Sequence, residues 1–262
     1  MKTVRILLIA MLLSCGSAMS YAEGDKIGFT LGSDFYSKYV WRGQLLNDDF
    51  VFQPCISAAY KGFTACVWGN VNLTDYGVNN NSGEFTEYDL TLDYSGKFSE
   101  ESKVGYSVGV IHYHFPSASA FDTTELYWGF NLDVPLSPTI KVYHGLGNEN
   151  GIYANFGLSH TFKDVLKISD NIKGDVVLGT SIGWGNSTYN KDYWGIGGAR
   201  LNDLAFTVGI PIGLGNGWTV KPSFNYVALV DGKIRSTDFY ATNDHTKRSD
   251  YFFTGVSISK RF

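Results

Sequence analysis

Apolar and polar side chains alternate along most of this chain. In one segment, Leu90 and Leu92 alternate with Asp89, Thr91 and Asp93. Successive side chains of a β-strand point to opposite faces, so this spacing predicts a strand with one apolar face and one polar face. The alternation recurs in the segments 125–132, 175–184 and 217–226. The pattern therefore predicts a protein built mainly of β-strands.

The alternation and the turn residues between the segments predict twelve strands and no helix. Most of these strands are long enough to cross a membrane at a tilt, which requires about 9–11 residues. The predicted strands are 27–40, 51–60, 64–73, 85–94, 103–113, 122–132, 139–147, 151–162, 172–184, 199–212, 217–229 and 250–262.

The connections between these strands are alternately short and long. Short turns are predicted at 61–62, 135–138 and 213–216, and long loops at 74–84, 185–198 and 230–249. An up-and-down membrane barrel has short turns at one end and longer loops at the other. The long connection 163–171 and the short one at 148–150 depart from this rule. A soluble sandwich would show the same alternation with its apolar face turned inward.

The beginning of the chain is typical of a secretory signal peptide. Lys2 and Arg5 precede the apolar stretch 6–13, which is too short to span a bilayer as a helix, and 20–22 is a small-x-small cleavage site. We therefore predict a signal peptide over 1–22. Residues 12–16 also fit a lipoprotein signal, and the sequence leaves this alternative open.

The remaining residues, 23–262, form a single predicted domain whose last strand ends on Phe262. A closing strand with a terminal aromatic residue resembles those of bacterial outer-membrane barrels, whose assembly machinery recognises a terminal Phe. We predict an all-β fold, namely a twelve-stranded antiparallel up-and-down transmembrane β-barrel in the bacterial outer membrane. Its expected partners are outer-membrane lipid and the barrel assembly machinery.

Charge and composition agree with this fold. Removing Lys2 and Arg5 from the 21 basic side chains leaves 19 against 25 acidic ones, a net charge of about −6, which argues against a nucleic-acid partner. The 18 Phe, 17 Tyr and 6 Trp suit a barrel with an apolar outer surface. Aromatic residues near strand ends are expected to lie at the membrane interfaces. They include Tyr39, Trp41, Tyr94, Trp184 and Trp218.

The inward faces of the predicted strands carry charged residues among many Gly, Ser and Thr. They are Asp34, Lys38, Arg42, Glu87, Asp89, Asp93, Glu125, Lys141, Asp175, Asp203 and Lys221. A barrel of twelve strands lies between the filled interior of eight strands and the aqueous channel of sixteen, so a narrow lumen is expected. The function predicted is a channel for small hydrophilic solutes. Alternatively, the charges pair with one another and seal the barrel.

Two cysteines lie beyond the predicted signal peptide. Cys55 and Cys66 occupy the polar faces of consecutive strands, so an oxidising compartment would cross-link them if the turn brought them opposite each other. The simplest turn, at Lys61 and Gly62, offsets them by two positions. The sequence therefore leaves open whether they form a disulfide or remain two free thiols.

Catalytic and metal sites are not predicted. The five histidines do not lie in a recognisable Ser or Asp constellation, and His112 and His114 lack a nearby third ligand. We therefore expect no enzyme activity, no metal and no cofactor, although a barrel hydrolase remains an alternative. Another alternative is an envelope scaffold or adhesin that acts through the loops 185–198 and 230–249.

The first part of the predicted domain resembles the TorF family of predicted porins. In that family the first strand ends in a Tyr-aromatic-Arg-Gly turn, and the second strand carries a proline. The segments that carry the resemblance are 33–43, 53–54, 62–63 and 67–70. The resemblance implies an outer-membrane porin-like barrel. Residues 44–46, Gln-Leu-Leu, replace the family's small polar residues, and the cysteine pair is not a family feature, so no solute preference is carried over.

Overall fold

The computed structural model describes residues 26–75, 82–116, 122–147, 150–169, 172–237 and 248–262. The predicted signal peptide 1–22 and the alternative lipoprotein site lie outside the described residues.

The described chain consists almost entirely of β-strands, with one α-helix and one short 3₁₀ helix. The elements are β1 (Gly28–Tyr36), β2 (Tyr39–Trp41), β3 (Gln44–Asn47), β4 (Val51–Tyr60), β5 (Phe63–Asn72), β6 (Phe85–Lys97), β7 (Val104–His114), β8 (Thr123–Leu132), β9 (Thr139–Leu146), β10 (Ile152–Ser169), β11 (Ile172–Gly185), α1 (Ser187–Trp194), β12 (Arg200–Gly209), β13 (Ile212–Gly215), β14 (Trp218–Leu229), the 3₁₀ helix Ile234–Ser236 and β15 (Asp250–Arg261).

The strands close into a twelve-stranded antiparallel barrel, as the alternation predicted. Strand β1 pairs with β4 on one side and with β15 on the other, so the sheet has no free edge. Strands β12 and β13 occupy one position in the barrel, because both pair with β11 and β14. They are separated at Pro211, which has no amide hydrogen to donate to a neighbouring strand.

The apolar face of the barrel points outward and the polar face inward. Leu92 is 61% exposed and Phe252 is 60% exposed, whereas Asp89 and Asp93 are 3% and 4% exposed. This arrangement suits a barrel surrounded by lipid and confirms the predicted orientation. Among the residues that the structure describes, no helix is both long and apolar enough to cross a membrane.

The start of β1 and the end of β15 lie at the same end of the barrel, which we call the terminal end, because Thr30 pairs with Arg261 there. The opposite end, which carries the connection 37–50 and the helix α1, is called the loop end. Near the terminal end, residues 163–169 of the predicted connection 163–171 are instead an exposed extension of β10. The predicted long turn there was therefore wrong.

Two further departures from the sequence predictions lie at the loop end. Strand β1 ends at Tyr36 rather than at residue 40, and the predicted loop 185–198 contains the helix α1. Of the aromatic residues expected at the interfaces, Tyr94, Trp184 and Trp218 are exposed on the barrel, whereas Tyr39 is buried. Trp41 packs against Tyr113 and Tyr193. These corrections share one cause, which is that connecting segments fold into the lumen.

Candidate functional site

Strands β2 and β3 form a small hairpin, Tyr39–Asn47, which we call the lumen hairpin. Its two-residue turn consists of Arg42 and Gly43, with φ of 46° and 85°. Two positive φ values in succession are typical of the tight turn that suits the twist of antiparallel strands. A Cβ atom at Gly43 would lie 2.7 Å from Leu229 Cδ2, so glycine is required at this tip for packing as well as for conformation.

The lumen hairpin is inserted into the barrel. It contacts wall strands that are distant from it in the sequence. One side of it, formed by Val40 and Leu45, packs on the inner surfaces of β12, β14 and β15. The wall residues in this cluster are Ala205, Val227, Tyr251 and Phe253. On the other side, Tyr39 packs against Trp68, and its hydroxyl donates to Glu87 Oε2 at 3.0 Å. The hairpin therefore bridges opposite walls across the loop half of the lumen.

Arg42 forms the centre of this inserted structure. Its Nη1 donates to Glu125 Oε1 at 2.8 Å and its Nη2 donates to Glu125 Oε2 at 2.7 Å, so the ion pair is bidentate. Only 9% of the Arg42 side chain and 4% of the Glu125 side chain is exposed. The guanidinium carbon also lies 4.5 Å from the ring centroid of Trp41 and 4.4 Å from those of Tyr143 and Tyr153. Aromatic faces attract cations at such distances.

The helix α1 also lies inside the barrel. Asn186 caps its N-terminus by accepting from Tyr189 N, and Gly195 ends it in the left-handed conformation. Its residues Tyr189, Asn190 and Trp194 are buried. Because Tyr189 and Trp194 pack against Tyr153, Leu229 and Ile234, the helix fills the lumen beside the hairpin.

Glycines on the inner wall make room for the helix. A Cβ atom at Gly151 would lie 2.4 Å from Tyr189 Cα, and one at Gly185 would lie 2.5 Å from Asn190 Oδ1. At Gly183 it would lie 2.2 Å from Asp203 Oδ1. The small inward residues predicted from the alternation therefore do not leave open space at this end of the lumen.

Several lumen carboxylates are held by tyrosine hydroxyls. The donor and acceptor pairs are Tyr39 to Glu87 at 3.0 Å, Tyr113 to Glu125 at 2.8 Å, Tyr127 to Asp93 at 2.5 Å and Tyr153 to Asp203 at 3.0 Å. Such bonds compensate part of the cost of burying a carboxylate. Asp89 differs, because its Oδ1 is buried with no hydrogen-bond partner among the described residues.

The terminal half of the lumen has a different lining. Its inward residues include Thr91, Ser107, Thr161 and Thr207, all of them partly exposed. A Cβ atom at Gly179 would have no atom within 4 Å among those that the structure describes. Small polar side chains therefore line part of this half, beside Asp93, Tyr127 and Lys141, and no inserted segment among the described residues fills it.

The predicted pore-lining residues do not form one stripe. Arg42, Glu87, Asp89, Asp93 and Glu125 lie in the lumen, although Arg42 belongs to the inserted hairpin rather than to the wall. Asp34 is buried on the inward face of β1. Lys141 lies 4.5 Å from the ring centroid of Tyr127, and Lys221 lies on the inward face of β14, opposite Ser257 of β15. Asp175 lies near the terminal end, where it accepts from Asp164 N.

The sequence reasoning missed the tyrosines that surround Arg42. Tyr113, Tyr143 and Tyr153 all stand at inward positions of predicted strands. The alternation predicted that these tyrosine side chains point into the lumen. It did not predict that they surround Arg42. Their role depends on which chain segment enters the lumen.

The cysteines lie diagonally on β4 and β5, with the predicted offset of two positions. Cys55 is opposite Trp68 and Cys66 is opposite Ser57. Their sulfur atoms are nevertheless 2.9 Å apart, because both side chains lean towards each other on the inward face. The disulfide itself stays a prediction.

Phe262, the predicted assembly signal, lies at the terminal end with its side chain 67% exposed, and its backbone N donates to Phe29 O. At the loop end, His112 contacts Thr124 and His114 contacts Asp122. Within the described ranges, no group of three or more His, Cys, Asp or Glu residues is arranged to hold a metal ion.

Comparison with known protein families and with curated proteins finds no match. Among solved structures, an outer-membrane channel from Pseudomonas putida F1 is similar, with a TM-score of 0.53 and 10% identity over 96% of this chain and 100% of that chain. The NanC porin has a TM-score of 0.49 and 10% identity, covering 88% and 97% of the two chains. LpxR from Salmonella typhimurium has a TM-score of 0.45 and 10% identity, covering 89% and 99%.

At these identities the similarity concerns the architecture alone. The channel from Pseudomonas putida F1, with a TM-score above 0.5, agrees with the closed twelve-stranded barrel described above. The chain therefore has the fold of an outer-membrane β-barrel.

Proposed function

We propose that this protein is a channel of the bacterial outer membrane for the passive passage of small hydrophilic solutes, with the lumen hairpin and α1 as its constriction. The proposal rests on which chain segments fill the loop half of the lumen. These segments are the connections 37–50 and 186–199, and not side chains of the wall alone. A connection can move while the hydrogen bonds of the closed wall stay intact.

The inner wall supports passage through the rest of the barrel. Ser and Thr side chains form part of the lining of the terminal half, and they can hydrogen-bond to a hydrated solute. The resemblance to TorF-family porins points to the same function. We propose no catalytic role for His112 and His114, whose contacts with Thr124 and Asp122 lie at the exposed loop end.

A non-conducting barrel is the second candidate. The bidentate pair between Arg42 and Glu125 favours it, because such a buried pair resists separation. In that case the loops at the loop end would carry the function, as scaffold or adhesin. The two candidates differ in whether wild-type protein ever conducts.

Conductance in planar bilayers separates these candidates. Tyr39 and Asn47 are paired in register, so residues 40–46 can be replaced by Gly-Gly without stretching the chain. We expect small or brief steps from the wild type and larger, lasting steps from this deletion variant. A variant with Glu100 and Glu101 changed to Gly alters a connection at the terminal end and should conduct like the wild type.

Folding is checked first, by the slower migration of boiled than of unheated protein on a detergent gel. Silence of both folded proteins would contradict the channel proposal. Conductance of the deletion variant with a silent wild type would favour the non-conducting barrel.

A further inference from the structure

We propose that the lumen contains a binding site for a guanidinium group, which Arg42 occupies at rest and a guanidinium-bearing solute occupies when the lumen hairpin withdraws. This inference rests on the proposed function and names the class of solute for the same site. Arg42 is, on this view, a ligand supplied by the chain itself.

The shape of the contact with Glu125 is specific for guanidinium. Two parallel N–H donors meet the two carboxylate oxygens at 2.8 and 2.7 Å. A planar fork of donors matches a carboxylate in this way, whereas an ammonium group is a point charge with tetrahedral donors. Tyr113 donates to Glu125 Oε2 at 2.8 Å, which fixes the orientation of the carboxylate from the wall.

Most of the site belongs to the wall and does not depend on the hairpin. Glu125 is on β8, and the rings of Tyr143 and Tyr153, each 4.4 Å from the guanidinium carbon, are on β9 and β10. Of the close aromatic faces, only Trp41 moves with the hairpin. Withdrawal of the hairpin therefore leaves a carboxylate and two aromatic faces in place, a combination that attracts cations.

The surrounding charge also favours a cation. On the inward faces that the structure describes, six carboxylates are buried, and Arg42, Lys141 and Lys221 are the cations near them. The carboxylates are Asp34, Glu87, Asp89, Asp93, Glu125 and Asp203. This excess of acidic groups in a partly desolvated lumen draws positive solutes towards it.

Asp89 provides an independent sign that the site can accept more donors. It is 3% exposed, and its Oδ1 has no hydrogen-bond partner among the described residues. It pairs across the sheet with Tyr113, the residue that holds Glu125, and its carboxyl group is also hydrogen-bonded to Glu87. A guanidinium has five N–H groups, of which Glu125 uses two, so a free solute can turn a remaining one towards this oxygen.

The test is calorimetric titration of detergent-folded Arg42→Ala with ethylguanidinium chloride. This variant keeps the wall groups and leaves the guanidinium position vacant. We expect binding to Arg42→Ala that is about tenfold tighter than to the wild type, where Arg42 competes, and about tenfold tighter than binding of ethylammonium chloride. The double variant Arg42→Ala/Glu125→Gln should bind about tenfold more weakly, because the charged acceptor is lost.

Equal binding of ethylguanidinium to Arg42→Ala and to the double variant would overturn the site, as would equal binding of the two cations. Arg42→Gln is the second variant if Arg42→Ala does not reach the folded form, because its amide preserves more of the packing. The same dependence on Glu125 is expected there.

The readout does not require conduction, so the two proposals can fail separately. Binding that depends on Glu125, in a protein that never conducts, would keep the site and reject the channel. Conduction without such binding would keep the channel and reject the site.

Discussion

Two glycines on β11 lie on the same inward face, four residues apart, in different surroundings. A Cβ atom at Gly183 would lie 2.2 Å from Asp203 Oδ1 and 2.3 Å from the hydroxyl of Tyr153. At Gly179 it would have no described atom within 4 Å. One strand therefore faces a packed interior in the loop half and free space in the terminal half.

The atoms nearest to Gly183 belong to the wall residues Asp203 and Tyr153, and the inserted segments fill the rest of the loop half. Both halves have inward Gly, Ser and Thr residues in the same alternation. The loop half is filled because the lumen hairpin and α1 enter it and bring Arg42, Tyr189 and Trp194 with them. The wall therefore encloses the lumen, and the inserted connections fill its loop half.

The largest expected effect is a loss of stability when the ion pair between Arg42 and Glu125 in the loop half is broken. Changing Arg42 to Ala leaves Glu125 buried without its cation, and breaking such a pair costs about 3–5 kcal/mol. We expect a loss of this order in the free energy of unfolding, measured by denaturant titration in micelles. Lys97→Ala removes an exposed pair with Asp133 at the terminal end, 3.8 Å apart, and should cost at most about 1 kcal/mol. Similar losses in the two variants would contradict the contrast between the ends.

The next effect concerns the two glycines of β11. Gly183→Ala should lower the free energy of unfolding by about 1–3 kcal/mol, because the new methyl group overlaps Asp203 and Tyr153. Gly179→Ala is the matched control on the same strand and should change it by no more than about 0.5 kcal/mol. Thermal or denaturant unfolding of both variants measures the two changes in the free energy of unfolding. The contrast fails if Gly179→Ala is the more destabilising of the two.

A smaller effect is expected on ion selectivity. If the narrow loop half controls passage, then Glu87→Gln together with Asp89→Asn should reduce a modest cation preference, because negative charge is removed from the constriction. Lys221→Gln should shift the reversal potential slightly in the opposite direction. Measurements in a salt gradient decide between these outcomes. An unchanged reversal potential in a conducting Glu87 and Asp89 variant would place the conducting path elsewhere.

The smallest effect is expected for the cysteines. The 2.9 Å approach of the two sulfur atoms favours a Cys55 to Cys66 cross-link in an oxidising compartment. Mass spectrometry of the non-reduced protein detects it, and two freely alkylated thiols would contradict it. Cys55→Ser should change stability by less than about 1 kcal/mol, because the closed ladder of backbone hydrogen bonds already holds β4 and β5 together.

The strands of the fold were predictable because they follow from local patterns in the sequence. The alternation of Leu90 and Leu92 with Asp89 and Asp93 depends only on neighbours in the chain, and it correctly assigned the strand and its faces. The helix α1 was not predicted, because eight residues with an Asn cap and a Gly end form a weak signal inside a polar loop. Its stability comes from burial of Tyr189 and Trp194 inside the barrel.

The sequence by itself determined the twelve strands, the outward apolar surface and the inward acidic residues, because strand periodicity is a local property of the chain. Only the tertiary structure decided that 39–47 turns into the lumen. The partner of Arg42 is Glu125, 83 residues further along the chain. No local pattern relates two residues at that separation, and they meet only because barrel closure places β8 across the lumen from the hairpin. The occupied loop half is therefore a product of closure and long-range packing.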